Sequence, residues 1–149
     1  MSRDPLDVPF DFTERPSPIP AILRPSWRIT SLLLCLSQCR AGKANRKQLH
    51  VLNWAARNAD AQRIFLKVLD GTVSPDEAIV RFDPVLDRAV HFAIGEQLVF
   101  QAGDQLVMTP KGESLVKAVM QDRECMTAEK QFLKAIGRKL TQAQVEALI

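Results

Sequence analysis

The sequence predicts a mainly α-helical fold carrying one small β-hairpin, and three observations predict it. Apolar residues recur at helical spacing in several short stretches from Trp27 onward. Asp83-Pro84 and Thr109-Pro110 each carry the signature of a helix start, a capping oxygen followed by a proline in the first helical position. Between these starts lie two β-runs, LVFQ (98–101) and QLVMT (105–109), around Ala102-Gly103-Asp104, which reads as a hairpin. A chain of 149 residues accommodates one such domain and a tail.

In chain order, the first segment is an extended arm over residues 1–25. Six of the nine prolines fall there, which forbids helix and leaves extended or polyproline-like chain. Phe10, Phe12, Ile19, Ile22 and Leu23 punctuate it, so it is either an arm packed on its own domain or on a partner, or a disordered leader. Trp27, Ile29, Leu32, Leu33, Leu36 and Cys39 suit a first helix to about Arg40, broken by Ala41-Gly42-Lys43. A second helix runs from Asn45 to about Arg57, with Leu49, Leu52, Asn53 and Ala56 on one face. After a break at Asn58–Asp60, a third covers Ala61–Asp70 and is ended by Gly71.

Ser74-Pro75-Asp76-Glu77 reads as a capped single turn, and AIVRF (78–82) as a short strand. The helix opened by Asp83-Pro84 runs to about Gln97, and the hairpin follows. Thr109-Pro110 opens a helix to about Arg123, Thr127 begins another that Gly137 stops, and Thr141 with Gln144 boxes the start of a last one. The expected organisation is thus an arm (1–25), a domain (26–123) and a C-terminal helical segment (124–149) that either closes the core or docks on another chain. Helix–strand–helix–hairpin is the layout of a winged helix, a shape that often reads DNA.

The helix before the hairpin would be the DNA-reading one. On a wheel at ~100° per residue, Pro84, Asp87, Arg88, His91 and Gly95 share a wedge of roughly 100°. Apolar residues fill most of the rest, which predicts either a helix buried by its own domain around most of its circumference or one whose excess apolar surface is a partner site. The wedge offers only Arg88 and His91 as donors to bases, beside an Asp87 that phosphates would repel. The hairpin tip has no Arg or Lys. Partner contacts are therefore expected at Arg88 and His91, and at Phe10 and Phe12 of the arm. The clearest basic cluster is Arg40, Lys43, Arg46 and Lys47. Lys43, Arg46 and Lys47 are the expected DNA contacts, made to phosphates without reading sequence.

The net charge of +3 does not by itself argue for nucleic acid. Three cysteines and no apolar leader argue against a disulfide framework, and Cys35 and Cys39 read as core residues. No stretch is long enough to span a bilayer, and a cytoplasmic chain is expected. No phosphate loop, nucleophile elbow or metal-binding motif stands out, so no catalytic residue, cofactor or metal is assigned. Ser114, inside a helix and followed by apolar residues, reads as structural.

Four stretches in order, QLHVLNWAAR (48–57), FDPVLDRAVHFAIGEQLV (82–99), VMTPKGESLV (107–116) and EKQFLKAIGRKLT (129–141), resemble the middle component of ABC-three-component systems. This is the small subunit of Lamassu-type antiphage defence. The resemblance covers roughly residues 25–149. It implies a winged-helix-like, non-catalytic adaptor between an SMC-like, DNA-sensing ATPase and an effector subunit, often a nuclease. DNA would be met through the complex. A winged-helix transcription regulator acting as a homodimer is the alternative, and an antitoxin-like protein the third.

Overall fold

The computed structural model describes residues 24–77 and 83–136. The expected arm up to residue 23, the strand over 78–82 and the last helix lie outside them. The chain is mainly helical, with a small three-stranded antiparallel sheet.

Helix α1 (Pro25–Gln38) takes Pro25 in its first turn, where a missing N–H is harmless. Ser31 through Leu36 are six consecutive buried residues. A helix apolar on all sides has to be enclosed, and α2, α4, α5, α6, β1 and β3 all pack on it. The chain then turns through Arg40–Gly42, with Ala41 at φ 57° and Gly42 at φ 64°.

Strand β1 (Lys43–Asn45) follows, from the last residue of the expected break to the residue expected to open the second helix. Three residues are too few for a period-two signal. The strand exists because β3 pairs with it, Ala44 opposite Leu106. Helix α2 (Arg46–Ala56) opens with a capping box. The Asn45 side chain accepts from the Gln48 N–H at 2.8 Å, and the Gln48 side chain accepts from the Asn45 N–H at 3.0 Å. Helix α3 (Ala59–Leu69) starts two residues before the expected Ala61, because Asn58 is its cap and accepts from the Ala61 N–H at 2.9 Å. It ends as expected at Gly71, φ 81°, where the Thr72 N–H reaches back to the Lys67 carbonyl at 2.9 Å. A single 3-10 turn occupies Pro75–Glu77.

Helix α4 (Pro84–Gly95) begins as the Asp-Pro pair predicts, the Asp83 carboxylate accepting from the Val85 N–H at 2.9 Å. Its end places Gln97 at φ 60°. The Gln97 N–H bonds to the Ile94 carbonyl at 3.0 Å and the Leu98 N–H to the Ala93 carbonyl at 2.9 Å. This left-handed closure usually carries glycine.

Strands β2 (Val99–Ala102) and β3 (Gln105–Met108) form the expected hairpin about Gly103, φ 64°. The sheet order is β1-β3-β2. Ala44, Leu106 and Val99 face the core, while Lys43, Val107 and Phe100 stand in a row on the other face.

Helix α5 (Pro110–Gln121) is seated on the α4–β2 junction. The Thr109 hydroxyl donates to the Gln97 carbonyl at 2.6 Å and accepts from the Gly112 N–H at 3.1 Å. Gly112 lies so close to that junction that an added Cβ would meet the Leu98 carbonyl oxygen at 2.3 Å. Helix α6 (Thr127–Ile136) buries Phe132, Leu133 and Ile136, so this part of the C-terminal segment closes the core. Phe132 meets Phe65 edge to face, centroids 6.0 Å apart. Lys130 Nζ ties α6 to the end of α5, donating to the Val119 carbonyl and, at 2.6 Å, to that of Asp122.

Two substitutions at one junction should act in opposite directions. Gly112→Ala, with backbone in the way, should destabilise by about 1–3 kcal/mol. Gln97→Gly should stabilise by roughly 0.5–1 kcal/mol by relieving the left-handed residue. Urea unfolding of the two variants beside the parent measures both.

Candidate interaction surface on helix α4

The inward side of α4 is Leu86, Ala89, Val90 and Ala93, all buried. Its outward side is Val85, Arg88, His91, Phe92 and Gly95, all exposed. The expectation of a helix buried around most of its girth is therefore corrected: Val85 is 39% and Phe92 58% exposed. The wheel ranked residues by polarity, and small Ala89 and Ala93 are what the core takes in. The rotation leaves a phenylalanine and a valine outside, flanking Arg88 three and four residues away on one helical row.

The two residues expected to touch a partner, Arg88 and His91, are both on this outward face. Phe10 and Phe12 lie outside the described residues. Of the three expected DNA contacts, Lys43 stands at the start of β1, and Arg46 and Lys47 open α2. Lys43 and Lys47 are exposed. Arg46 is not simply solvated: its guanidinium holds the Asp87 carboxylate of α4 at 3.1 Å. That ion pair joins the basic group to the α4 face. It also answers the Asp87 charge that was expected to repel phosphates.

Behind this face lies a polar junction that sequence reasoning missed. Asp83 Oδ1 takes the Val85 N–H, while Oδ2 takes Arg28 of α1 at 2.8 Å and Arg57 beyond α2 at 2.7 Å. The Asp83 N–H donates to His50 Nδ1 of α2 at 3.3 Å, and His50 Nε2 lies 3.8 Å from Asp87. One carboxylate thus caps α4 and pins α1 and α2 to its start. The Asp-Pro pair signalled the cap. Nothing local signalled that Arg28 and His50, 55 and 33 residues away, would share it.

Burial raises the pKa of the Asp83 carboxyl. The Val85 amide and the Arg28 and Arg57 guanidinium groups outweigh it and leave the carboxyl below its ordinary value. Burial lowers the His50 imidazole below its ordinary 6.5, against the pull of Asp87 and Asp83. Nδ1, accepting a hydrogen bond, carries no proton.

Cys35 is buried in the core as expected, and burial beside Cys39 pushes its thiol up to about 12. Burial takes Cys39, packed at the core's edge, to about 11. Burial thus keeps both thiols protonated at neutral pH. Among the described residues no group of three or more His, Cys, Asp or Glu side chains is placed to hold a metal ion. No helix among them is long and apolar enough to cross a membrane. No family model, no curated protein and no solved structure matches the chain.

The His50 and Asp83 shifts predict acid sensitivity in two windows. An imidazole lowered on folding lets the unfolded chain bind the proton first, so stability should fall as pH drops below about 6.5. The lowered Asp83 carboxyl contributes stability above the ordinary carboxylate range, and that is lost as pH falls through its folded value. Urea unfolding at pH 7.5 and 5.5 should show the first loss in the parent. His50→Asn, which keeps an acceptor for the Asp83 N–H but cannot titrate, should show less of it.

Proposed function

We propose that the chain is a non-catalytic adaptor subunit of a Lamassu-type antiphage or anti-plasmid complex, joining an SMC-like, DNA-sensing ATPase to an effector subunit, often a nuclease. The four stretches resembling the middle component of ABC-three-component systems motivate the assignment. The observation that carries it is the outward face of α4, two large apolar side chains beside a single guanidinium and one imidazole. A base-reading helix needs several donors in a groove of polar edges and phosphates, and Val85 and Phe92 occupy that space instead.

The fold supporting this reading is winged-helix-like. The order α1, β1, α2, then α4 before the hairpin, and the sheet order β1-β3-β2, suit that architecture, with α3 as an addition. In this architecture α4 holds the place of the recognition helix and the β2–β3 hairpin is the wing, whose tip, Gly103-Asp104, brings a carboxylate and no cation. The Pro-rich arm, residues 1–25, serves as a further partner contact through Phe10 and Phe12. Lys43, Arg46 and Lys47 contribute charge toward DNA held by the assembled complex, in the cytoplasm.

A tagged chain recovered from its native host after nuclease treatment should bring with it a long coiled-coil ATPase and a second, effector-like protein. Recovery as a homodimer that binds its own promoter in a salt-sensitive way would overturn the adaptor reading in favour of a transcription regulator. In the assembled complex, reversing Lys43, Arg46 and Lys47 together should weaken DNA binding and lower the salt slope by up to about 0.9 for each phosphate no longer neutralised. An unchanged slope would mean that these cations are merely solvated.

A further inference from the structure

Resting on the reading of α4 as a protein-holding face, we infer that this face takes one kind of partner segment: an acidic amphipathic helix. It would lay apolar side chains on Val85 and Phe92, put a carboxylate on Arg88 between them, and cross closest at Gly95.

Charge complementarity selects the partner's sign. Arg88 sits in the middle of the apolar row and makes no ion pair among the described residues. The nearest acid along the helix, Asp87, is held by Arg46 at 3.1 Å and turned from the row. Lys111 adds a second cation at the far end of the helix, its Nζ donating to the Glu96 carbonyl at 2.8 Å. Glu96, exposed at the margin of the row, is the carboxylate against this balance. A guanidinium flanked by valine and phenylalanine is partly desolvated once those side chains are covered, and there a carboxylate is worth more than in open water.

Gly95 selects the partner's shape. Gly95 is the last residue of α4, where glycine costs at most the roughly 0.5–1 kcal/mol that it costs in a helix interior relative to alanine. At Gly95 nothing internal calls for it: its φ is not in the left-handed region, and an added Cβ would meet nothing within 4 Å. The absent side chain instead leaves bare backbone on the outward face, one turn beyond His91 and two turns beyond Arg88 on the same side of the helix, which suits close approach from outside. Val85 and Phe92 lie about 10 Å apart along the axis, two turns. A second helix presents apolar groups at that same repeat and packs ridge into groove at 8–10 Å. Nucleic acid would have to place phosphates or base edges on Phe92, the most exposed large apolar side chain among the described residues.

The test uses the full-length tagged chain and the proteins it recovers from its host. Arg88→Glu and Phe92→Ala should each reduce recovery of the partner by about tenfold or more. Arg88→Lys should reduce it less than Arg88→Glu does. Gly95→Ala is the decisive variant, because it should raise the thermal stability of the isolated chain and yet weaken partner recovery. A photo-crosslinker at position 88 should label a helical stretch bearing Asp or Glu, and reversing that residue to Arg should restore binding to Arg88→Glu. If the parent recovers its partner and every variant recovers it equally, the inference falls while the adaptor reading stands. If the crosslink lands on nucleic acid, or on a segment without carboxylates, the inference also falls. If the parent recovers no protein, the adaptor reading fails and the inference with it.

Discussion

Enclosure of α1 is the constraint on which the rest of this fold depends. Ser31–Leu36 offer no solvent side, so the helix cannot lie on a surface. Every neighbour is placed by the need to cover it: α2 and α4 against its flanks, α5 and α6 around them, and the sheet against the remainder. The burial of Phe132, Leu133 and Ile136 on α6 follows from the same demand. So does the seating of Gly112 against the Leu98 carbonyl, which lets α5 approach without a side chain between.

Two of the helices packed on α1, α2 and α4, meet it at one polar point, and that point orients the candidate surface. Asp83 caps α4 and accepts from Arg28 of α1 and Arg57 after α2, while His50 of α2 accepts its N–H. A carboxylate with all these partners fixes where α4 starts and how it is rotated. Fixing the rotation puts Ala89 and Ala93 inward, and so leaves Val85, Arg88 and Phe92 outward. The proposed partner face is in this sense set by the buried side of the molecule. The Arg46–Asp87 pair extends it toward Lys43 and Lys47, so a protein on α4 and a phosphate at the basic group would be neighbours.

Helices were legible where the signal was local. Asp83-Pro84, Thr109-Pro110 and Gly71 act within one turn, and each marks the boundary it predicted. The hairpin was legible for the same reason. Strand β1 was not, because its pairing with β3 spans 64 positions from Lys43 to Val107 and leaves no periodicity in three residues. The Asn58 cap was read as a break because capping residues and loop residues are the same types. The rotation of α4 was misjudged because polarity alone ranks phenylalanine inward. The core had room for alanine and not for Phe92, and only the packing of α1 decides that. Arg88 and His91 were legible as polar, and an apolar partner surface on α4 was one of two readings the sequence left open; that Val85 and Phe92 are the large apolar side chains left outside was not legible.

The central claim is that the outward face of α4 holds protein. A photo-reactive phenylalanine analogue at position 92, in the full-length chain in its native host, tests this most directly, because Phe92 is the most exposed large apolar side chain among the described residues. A covalent adduct to a second protein, lost when Val85 and Arg88 are also replaced, is the result predicted here. An adduct to DNA would contradict the account and return α4 to the role of a recognition helix.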